Sequence, residues 1–433
     1  MSGMTRTGPA AWPEVTVDDL KAPLKSAIAI GPFGSRMKSD VYVREGVPVI
    51  RGTNISAGRS FVGDLVFVSR ELADDLRSSN VYADDLVFPH RGAIGEVGIV
   101  PQGEPERWMM STSLMKVTVD PNVADPMFIY YFFRSPFGRH ELLRRSSSVG
   151  TPGIAQPLAS LKSVRLRLPP IDTQKAIAGV LGSCDDLIEN NWRRIEILEE
   201  ITRLIYREWF VHFRYPGRED VRFVDSDLGS IPEGWSVSTL AGLASYINRG
   251  IAPKYDEDSS SVVINQRCIR GHRVSLEFSR RQTKKVPEEK LVKKGDVLVN
   301  STGVGTLGRV APVRVEFDDT TVDSHVTIVR PQGGVDTHYF AELVLSLEPL
   351  FESMGTGSTG QTELSRARIG ESQIVLAPQG IRDAFGDLVQ PMSQLSVNLL
   401  HQNRALTEAR DLLLPRLISG ELDLSDLDLN SVA

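Results

Sequence analysis

Apolar residues recur every seven positions in two stretches of the chain, and charged residues fill most of the positions between them. The first stretch runs from Ile177 to Trp209, and the second runs from Ile381 to Leu413. This repeat predicts two amphipathic helices, each with one apolar stripe that needs a partner. The residues assigned to this helix seam are Ile177, Leu187, Leu198, Ile205, Leu395, Leu399, Leu406 and Leu413.

The two predicted helices can serve as each other's partner. Residues 172–210 would extend about 58 Å as a helix. Lying antiparallel, the pair would hold the two other parts of the chain apart around a pseudo-twofold axis. The alternative is that each helix packs on its own domain. Pro391 interrupts the second stretch, which predicts a kink or a short lead-in helix before a main helix that begins near Met392.

Short apolar runs bounded by glycine, proline and asparagine are found outside these stretches. Four of them are Val47–Arg51, Asp85–Phe88, Leu114–Val119 and Val262–Asn265. Runs of this length and composition predict β-strands. We therefore expect an α+β fold, in which two β-rich mixed domains are separated by two long antiparallel coiled-coil spacer helices.

The second half of the chain repeats the first. The matching segments occur in the same order at offsets of 207 to 223 residues: Trp12 with Trp235, Asp85–Val100 with Asp296–Val313, Gly150–Gly153 with Gly357–Gly360, Val164–Pro170 with Ser372–Pro378, and Leu198–Phe210 with Leu406–Ile418. Ordered matches of this kind indicate two copies of one unit. The expected boundaries are a β-rich domain at 1–170, a helix at 171–214, a linker at 215–234, a β-rich domain at 235–378, a helix at 379–422 and a tail at 423–433.

Charge is distributed unevenly over these segments. The whole chain of 433 residues has a net charge of −6, which by itself argues against a nucleic-acid ligand. However, the segment 1–170 carries +3 and 235–378 is neutral, whereas 171–234 and 379–433 carry −5 and −4. The acidity therefore lies mainly in the helical segments, which suits contact with protein better than contact with phosphate.

No set of residues in the sequence predicts an active site. The chain contains no phosphate loop of the Walker type, no H-E-x-x-H, no G-x-S-x-G and no amino-methyltransferase tetrad. The glycines of Gly303–Gly308 match a dinucleotide fingerprint, but the β-branched segment Arg309–Val315 follows where a helix is required, so we expect a glycine-rich turn. Two cysteines, Cys184 and Cys268, cannot form a disulfide framework or a four-cysteine zinc site.

The sequence also bears on where the chain resides. No run of about 18 apolar residues is present, which predicts that no helix crosses a membrane. The first residues lack the apolar core of a signal peptide. We therefore expect a cytoplasmic protein.

The densest basic segment of the chain is Arg267–Lys285, which suggests a nucleic-acid contact. Its candidate contact residues are Arg267, Arg270, His272, Arg273, Lys284 and Lys285. The alternative is an edge strand protected from aggregation by its charges.

Further candidates have side chains that can bind phosphate or base edges, although each could equally be an ordinary surface residue. In the first half they are Lys38, Arg51, Thr53, Asn54, His90 and Arg91. The loops Gly150–Gln156 and Gly357–Thr362 contribute Thr151, Gln156, Gln361 and Thr362, and the segment before the glycine-rich turn contributes Ser301 and Thr302.

The full layout resembles the specificity subunit of type I restriction-modification systems. The segments that carry this resemblance are Val49–Ile55, Asp85–Gly98, Leu168–Ala178, Ile231–Trp235 and, above all, Arg410–Leu422. Two segments depart from the family pattern. Ile205–Phe210 lacks the Leu-Pro motif of the first helix, and Pro378–Ile381 replaces a Gln-Lys start.

The resemblance implies a non-catalytic protein that binds double-stranded DNA. Each β-rich domain would be a target-recognition domain for one half of a split, asymmetric target, and the helices would set the gap between the halves. The helices would also dock two modification subunits, which use S-adenosylmethionine to methylate adenine. Where the host has them, two restriction subunits would use ATP and Mg²⁺. This chain would hold no cofactor or metal and would contact no membrane.

A different class of function remains open on the sequence. The chain could be a coiled-coil scaffold or adaptor that makes no direct contact with DNA. Strong dependence of DNA binding on salt would distinguish the first interpretation from the second.

Overall fold

The computed structural model describes residues 12–56, 58–147, 151–219, 221–355, 363–422 and 424. The chain divides into two units, and each long helix contributes to both of them. Unit 1 consists of Met1–Asn191 and Gln402–Ala433, and unit 2 consists of Trp192–His401.

Unit 1 contains thirteen short strands among its described residues, together with four short helices. The strands are β1 (Glu14–Thr16), β2 (Ile28–Ile30), β3 (Tyr42–Val43), β4 (Val47–Ile50), β5 (Val66–Val68), β6 (Asn80–Val81), β7 (Leu86–Pro89), β8 (Gly98–Ile99), β9 (Trp108–Met110), β10 (Leu114–Val117), β11 (Ser146–Ser147), β12 (Gly153–Ile154) and β13 (Arg165–Arg167). The helices are α1 (Arg70–Asp75), α2 (Pro126–Arg134), α3 (Pro136–Leu143) and α4 (Pro157–Lys162). The long helix α5 (Ile171–Tyr206) begins in this unit and ends in unit 2, where a π-helical turn follows at Arg207–Val211.

Unit 2 has the same kind of composition. Its strands are β14 (Phe223–Ser226), β15 (Gly229–Pro232), β16 (Ser236–Thr239), β17 (Ala244–Arg249), β18 (Val262–Ile264), β19 (Ile269–Arg270), β20 (Arg273–Val274), β21 (Arg280–Arg281), β22 (Val297–Asn300), β23 (Val310–Pro312), β24 (Thr320–Val322), β25 (Val326–Pro331) and β26 (Gln373–Leu376). The short helices are α6 (Thr337–Ser346), α7 (Glu348–Ser353) and α8 (Arg366–Gly370). The second long helix, α9 (Gln379–Ser419), begins here and ends in unit 1.

One sheet of each unit has the same topology, and further strand pairs correspond, which confirms the internal repeat. A four-stranded antiparallel sheet has the order β2-β10-β7-β8 in unit 1 and β17-β25-β22-β23 in unit 2. Each unit also has one parallel strand pair, β4 with β9 and β18 with β24. The pairs β1–β13 and β16–β26 correspond as well. The predicted α+β fold, with two β-rich parts and two long helices, is therefore confirmed.

The core of unit 1 forms around α2, whose sequence favours a helix at that place. Asp125 caps it by accepting a hydrogen bond from the Phe128 amide at 2.9 Å, and Pro126 occupies the first turn, where its missing N–H costs nothing. Phe128 and Phe133 are fully buried against the sheet residue Phe88 and its neighbours. Burial of one such ring stabilises the fold by roughly 1.5–3 kcal/mol.

The C-terminal end of α9 completes the core of unit 1. Leu414, Leu417 and Ile418 pack into the same cluster as α2. The helix stops at Gly420, whose φ of +74° suits glycine and whose missing side chain leaves room for the ring of Trp12. The segment Arg410–Leu422 therefore has a structural role as the last turns of a packed helix.

The core of unit 2 contains the matching aromatic segment of α5. Tyr206 and Phe210 are buried beside Tyr339 and Phe385, with a ring distance of 4.9 Å between Phe210 and Tyr339. Trp235 packs on Phe210 at 5.9 Å. Aromatic side chains thus replace the Leu-Pro motif in this copy, and the helix end is packed by rings.

The helix α9 is continuous through Pro391, so the prediction of a separate lead-in helix before Met392 is wrong. A proline inside a helix costs about 3 kcal/mol because it removes one hydrogen bond and crowds the preceding turn. Phe385 and Val389, on the turns before Pro391, are fully buried in the core of unit 2 and favour the helical conformation there.

The two long helices run antiparallel where they meet in unit 1. Asp185 is hydrogen bonded to Arg410, and Asn191 is hydrogen bonded to Asn403. Residue numbers therefore increase along α5 in the direction in which they decrease along α9. Ile177 and Leu399 are buried within their units, and Leu198, Ile205, Leu406 and Leu413 are partly buried. Leu187 and Leu395, which the seven-residue pattern assigned to the seam, are instead 50% and 38% exposed. The pattern fails there because a straight helix repeats every 3.6 residues, so a strict seven-residue stripe drifts around it.

Candidate nucleic-acid interface

Four backbone hydrogen bonds bring five loops of unit 1 to one end of its sheets. The bonds, each from an amide nitrogen to a carbonyl oxygen, are Gly31 to Leu114 (2.7 Å), Ser111 to Ile50 (2.9 Å), His90 to Ser113 (2.9 Å) and Ile154 to His90 (2.9 Å). Together they connect five loops, namely those that follow β2, β4, β7 and β9 and the one that precedes α4. We call this arrangement of bonds and loops the loop frame.

Unit 2 contains the same loop frame with different side chains. The corresponding bonds are Gly250 to Val326 (3.2 Å), Asp323 to Ile264 (2.9 Å), Ser301 to His325 (2.8 Å) and Leu364 to Ser301 (2.8 Å). One further pair matches, since isolated bridges join Arg91 to Gly153 and Thr302 to Glu363. The sequence repeat therefore continues into the loops as a repeat of backbone geometry.

Glycine is required at the first position of each loop frame. A Cβ atom on Gly31 would lie 1.9 Å from the carbonyl oxygen of Ser111, and one on Gly250 would lie 1.8 Å from that of Val322. No side chain can be accommodated at such a distance. These two glycines hold the loops that follow β2 and β17 tightly against their neighbours.

Three cations are free on the loop frame of unit 1. Arg36, Lys38 and Arg91 are exposed, and their side chains make no ion pair or hydrogen bond to any residue that the structure describes. The predicted residues Thr53, Thr151 and Gln156 are also exposed. Unpaired cations beside small polar groups form a surface that suits phosphate and base edges.

Three other predicted residues of unit 1 have intramolecular partners. Asn54 is buried, donates to the Val62 carbonyl at 2.8 Å and accepts from the Arg51 amide at 3.0 Å. The guanidinium of Arg51 donates to the carbonyl of Asp64 at 2.6 Å. The His90 ring donates to the Thr112 carbonyl at 3.2 Å, and burial lowers the pKa of His90, which favours the neutral ring. These contacts shape the loops from within.

In unit 2, two arginines of the basic segment share one aromatic ring. The guanidinium carbons of Arg267 and Arg270 lie 4.5 Å and 5.0 Å from the centre of the Phe278 ring. Both side chains are exposed, and neither has an ion pair or side-chain hydrogen bond within the described ranges. Stacking holds the planar groups in place while their donors remain available for phosphate or guanine.

The rest of the basic segment is held by the unit itself. Arg273 forms an ion pair with Glu199 of α5 at 2.7 Å, and His272 lies between Arg203 and Glu348 at 3.1 Å from each. Lys284 donates to the Ala252 carbonyl at 3.2 Å, and Lys285 is exposed. β21 is the edge strand of its sheet and carries Arg280 and Arg281, an arrangement that also suits the protected-edge interpretation.

The turn after β22 carries a small polar cluster. The Thr302 hydroxyl hydrogen bonds to the His325 ring at 2.8 Å and donates to Gln266 at 3.4 Å. Ser301 is fully buried and bonded to Thr327 at 2.6 Å, so its hydroxyl faces the interior. The predicted residues Gln361 and Thr362 lie outside the described residues.

The sequence reasoning missed Gln266 and His325, although the repeat contained the signal that could have found them. His325 occupies the place of Ser113 in the loop frame, at an offset of 212 residues, and Gln266 directly precedes the basic segment. Arg36 was missed as well, because a single arginine in a short loop gives no periodic signal.

The described residues include no group of three histidine, cysteine or acidic side chains that could hold a metal ion. The glycine-rich segment is a turn between β22 and β23, as predicted, and no helix follows it. None of the helices in the described ranges has an apolar stretch long enough to span a membrane.

Known proteins similar to this chain are specificity subunits of type I restriction enzymes. Residues 34–200 match the model of the type I restriction modification DNA specificity domain. The specificity subunit of the type I restriction enzyme MjaIX from Methanocaldococcus jannaschii is 28% identical over 308 residues, which cover 69% of this chain and 70% of that protein. The specificity subunit of the type I restriction enzyme HindI from Haemophilus influenzae is 20% identical over 387 residues, covering 73% and 82%.

A solved structure shows the same fold. The crystal structure of the type I restriction-modification S subunit from M. genitalium aligns with a TM-score of 0.56 at 16% identity, over 96% of this chain and 98% of that one. The match therefore extends through both units and both long helices. Residues 34–200 thus match the DNA specificity domain of type I restriction-modification systems, and the chain as a whole is similar to the specificity subunits of those systems.

Proposed function

We propose that the chain reads double-stranded DNA for a type I restriction-modification complex, with unit 1 binding one half of a split target and unit 2 binding the other. The observation that carries this proposal is the repeated loop frame. Each copy places unpaired cations on or beside loops that are fixed by backbone bonds: Arg36 and Arg91 in unit 1, and Arg267 and Arg270 in unit 2. Fixed cations position a protein on the DNA backbone, and neighbouring polar groups can select bases.

The two halves of the target should differ in sequence. Equivalent positions of the loop frames carry chemically different residues, such as Arg91 in unit 1 and Thr302 in unit 2. Arginine favours guanine, whereas threonine can contact several base edges. One backbone geometry with two sets of side chains supports an asymmetric target.

The long helices are suited to bind protein partners and to set the gap between the half-sites. Within unit 2, Ile197, Ile201 and Leu204 of α5 are exposed at a spacing that places them on one face. Exposed apolar stripes of this kind are typical of protein interfaces. The partners that we propose are two modification subunits and, in a complete nuclease, two restriction subunits.

The chemistry would belong to those partners. The modification subunits would bind S-adenosylmethionine and methylate adenine, and the restriction subunits would use ATP and Mg²⁺. The present chain would bind and orient DNA and hold no cofactor itself. Its contribution is the choice of the sequence that is modified.

The decisive experiment is an exchange of one reading domain. The full chain is co-expressed with its modification subunits, and methylated adenines are mapped on a random duplex pool. A second chain carries a foreign recognition domain in place of residues 1–170 and is otherwise identical. We expect one half-site to change while the other half-site and the gap stay the same. The reciprocal exchange of 235–378 is the matched control and should change the other half-site.

Two results would contradict the proposal. A change in both half-sites, or in the gap, would show that the units do not read independently. A complex that binds the modification subunits but shows no sequence preference would favour the scaffold interpretation.

A further inference from the structure

Each unit holds one large apolar side chain almost entirely in solvent. Phe33 of unit 1 is 82% exposed and Val304 of unit 2 is 88% exposed, while the next such residue in the described part of the chain, Leu412, is 65% exposed. Both belong to loops of the loop frame, one after β2 and one after β22. Each candidate interface thus has one apolar tip.

The tip at Phe33 is held by ordered structure on both sides. Gly31 is pressed against the Ser111 carbonyl, and Met37 is buried in the small core around Val49. Between them, the amide of Arg36 donates to the Phe33 carbonyl at 2.8 Å. The backbone is therefore fixed, and the ring projects from it without an internal partner.

The tip at Val304 is held in a similar way. The amide of Leu307 donates to the Gly303 carbonyl at 3.0 Å, and that of Gly308 donates to Asn300 at 2.8 Å. Leu307 is buried below the turn. The turn is thus anchored on one side and presents Val304 on the other.

Both tips have cations nearby. Arg36 and Lys38 follow Phe33 in the same loop, and both are exposed. Val304 lies at a groove that Arg270 and Arg309 also line, together with Glu352 and with Glu348, which is paired with His272. An apolar group that other parts of the protein leave uncovered, with unpaired cations nearby, is suited to a polyanion that also presents an apolar group.

In duplex DNA, the apolar group that base edges expose in the major groove is the C5-methyl of thymine. We propose that Phe33 contacts a thymine methyl in one half-site and that Val304 contacts a thymine methyl in the other. This inference rests on the proposed function and assigns a base to each tip. It also distinguishes the tips from the cations, which contact phosphate or guanine.

The test replaces single thymines by deoxyuridine, which pairs identically but lacks the methyl group. The chain in complex with its modification subunits is titrated with duplexes carrying the target found by methylation mapping. Two duplexes are compared with the thymine duplex, each with a single uridine in one of the two half-sites. Each uridine should weaken binding about fourfold, the effect of losing one buried methyl group. In Phe33→Ala the effect should vanish in one half-site only, and in Val304→Ala it should vanish in the other.

Matched controls have the same residue types at exposed positions elsewhere. Phe137→Ala, on α3, and Val224→Ala, on β14, should keep both uridine effects. If Phe33→Ala weakens binding to thymine and uridine duplexes equally, the ring contacts DNA by another mode, such as insertion between base pairs, and the inference is overturned. Equal binding of thymine and uridine duplexes by the unaltered chain would overturn it too. Loss of all sequence preference in the unaltered complex would instead contradict the proposed function.

Discussion

The side chains of Asn191 and Asn403 are hydrogen bonded to each other where α5 meets α9 in unit 1, with 2.9 Å between Nδ2 of Asn191 and Oδ1 of Asn403. Both are buried, and Nδ2 of Asn403 also donates to the carbonyl of Ile188 at 3.3 Å. A slide of one helix along the other would leave both amides unpaired in an apolar contact. The pair therefore favours one register, as single buried asparagines do in coiled coils.

This contact gives a first prediction. Asn403→Leu should lower the free energy of unfolding by about 1–3 kcal/mol, because it leaves the amide of Asn191 buried without its partner. The double variant Asn191→Leu/Asn403→Leu should recover most of that loss. Urea unfolding followed by circular dichroism measures both changes. A double variant that loses the sum of the two single effects would show that the amides are not coupled.

A second prediction concerns the buried carboxylate of Asp185. It accepts hydrogen bonds from Tyr131 and from Arg410, each at 2.7 Å. Asp185→Asn removes the charge that opposes a largely buried guanidinium, so the free energy of unfolding should fall by about 3 kcal/mol. The control is Asp411→Asn, which removes an exposed partner of the same Arg410 and should cost less than about 1 kcal/mol. Equal losses would show that the two carboxylates contribute alike.

A third prediction follows from Glu342, which is buried in α6 with Arg314 at 3.6 Å. Burial raises the pKa of Glu342 from 4.5 to about 6, and Arg314 opposes this rise. The native state thus retains a proton that the unfolded state has released, so stability falls as pH rises from about 4.5 through 6. Relative to Glu342→Gln, the unaltered chain should lose about 2 kcal/mol of unfolding free energy between pH 4 and pH 7.5.

The control for that experiment is Glu371→Gln, at an exposed position of unit 2. Because that side chain is exposed, the stability difference between this variant and the unaltered chain should change less over the same pH range than the difference for Glu342→Gln. A flat difference for Glu342→Gln would show that its carboxyl titrates normally.

A fourth prediction separates free from occupied arginines in the basic segment. Arg267→Ala with Arg270→Ala should reduce the slope of log affinity against log salt concentration by about 1.8 if both contact phosphate. Arg273→Ala should leave the slope unchanged, because Glu199 already neutralises that guanidinium. The slope is measured from duplex affinities between about 50 and 200 mM salt, where affinity depends strongly on salt. A fall in the slope for Arg273→Ala alone would reverse the assignment.

Local patterns in the sequence were sufficient to predict the helices and the repeat. Leu198–Phe210 and Leu406–Ile418 have matching apolar spacing because both end long helices that pack into a core. The segment Asp85–Phe88 was predicted as a strand because its apolar run has no helical period, and β7 includes most of it. Such features depend on neighbours in the sequence and can therefore be read from it.

Features that depend on distant neighbours could not be predicted. Asn54 was assigned to base contact from its residue type, yet it is buried by a loop that brings Val62 over it. Leu187 and Leu395 fit the seven-residue pattern, but tertiary packing decides which residues of each helix are buried, and these two are exposed. Phe33 resembles an ordinary core residue in the sequence, and its exposure depends on the fold around Gly31 and Met37.

The bonds of the loop frame join main-chain atoms only, so replacement of an exposed side chain on its loops removes none of them, provided that Gly31 and Gly250 are kept. Mutations at positions such as Arg36, Arg91, Arg267 or Val304 can accumulate without disturbing the chain that carries them. One duplicated copy can then drift to a new base preference while the other keeps its own. Substitutions that change the recognised DNA sequence are thereby separated from substitutions that change the fold. A lineage can then acquire new targets through single substitutions.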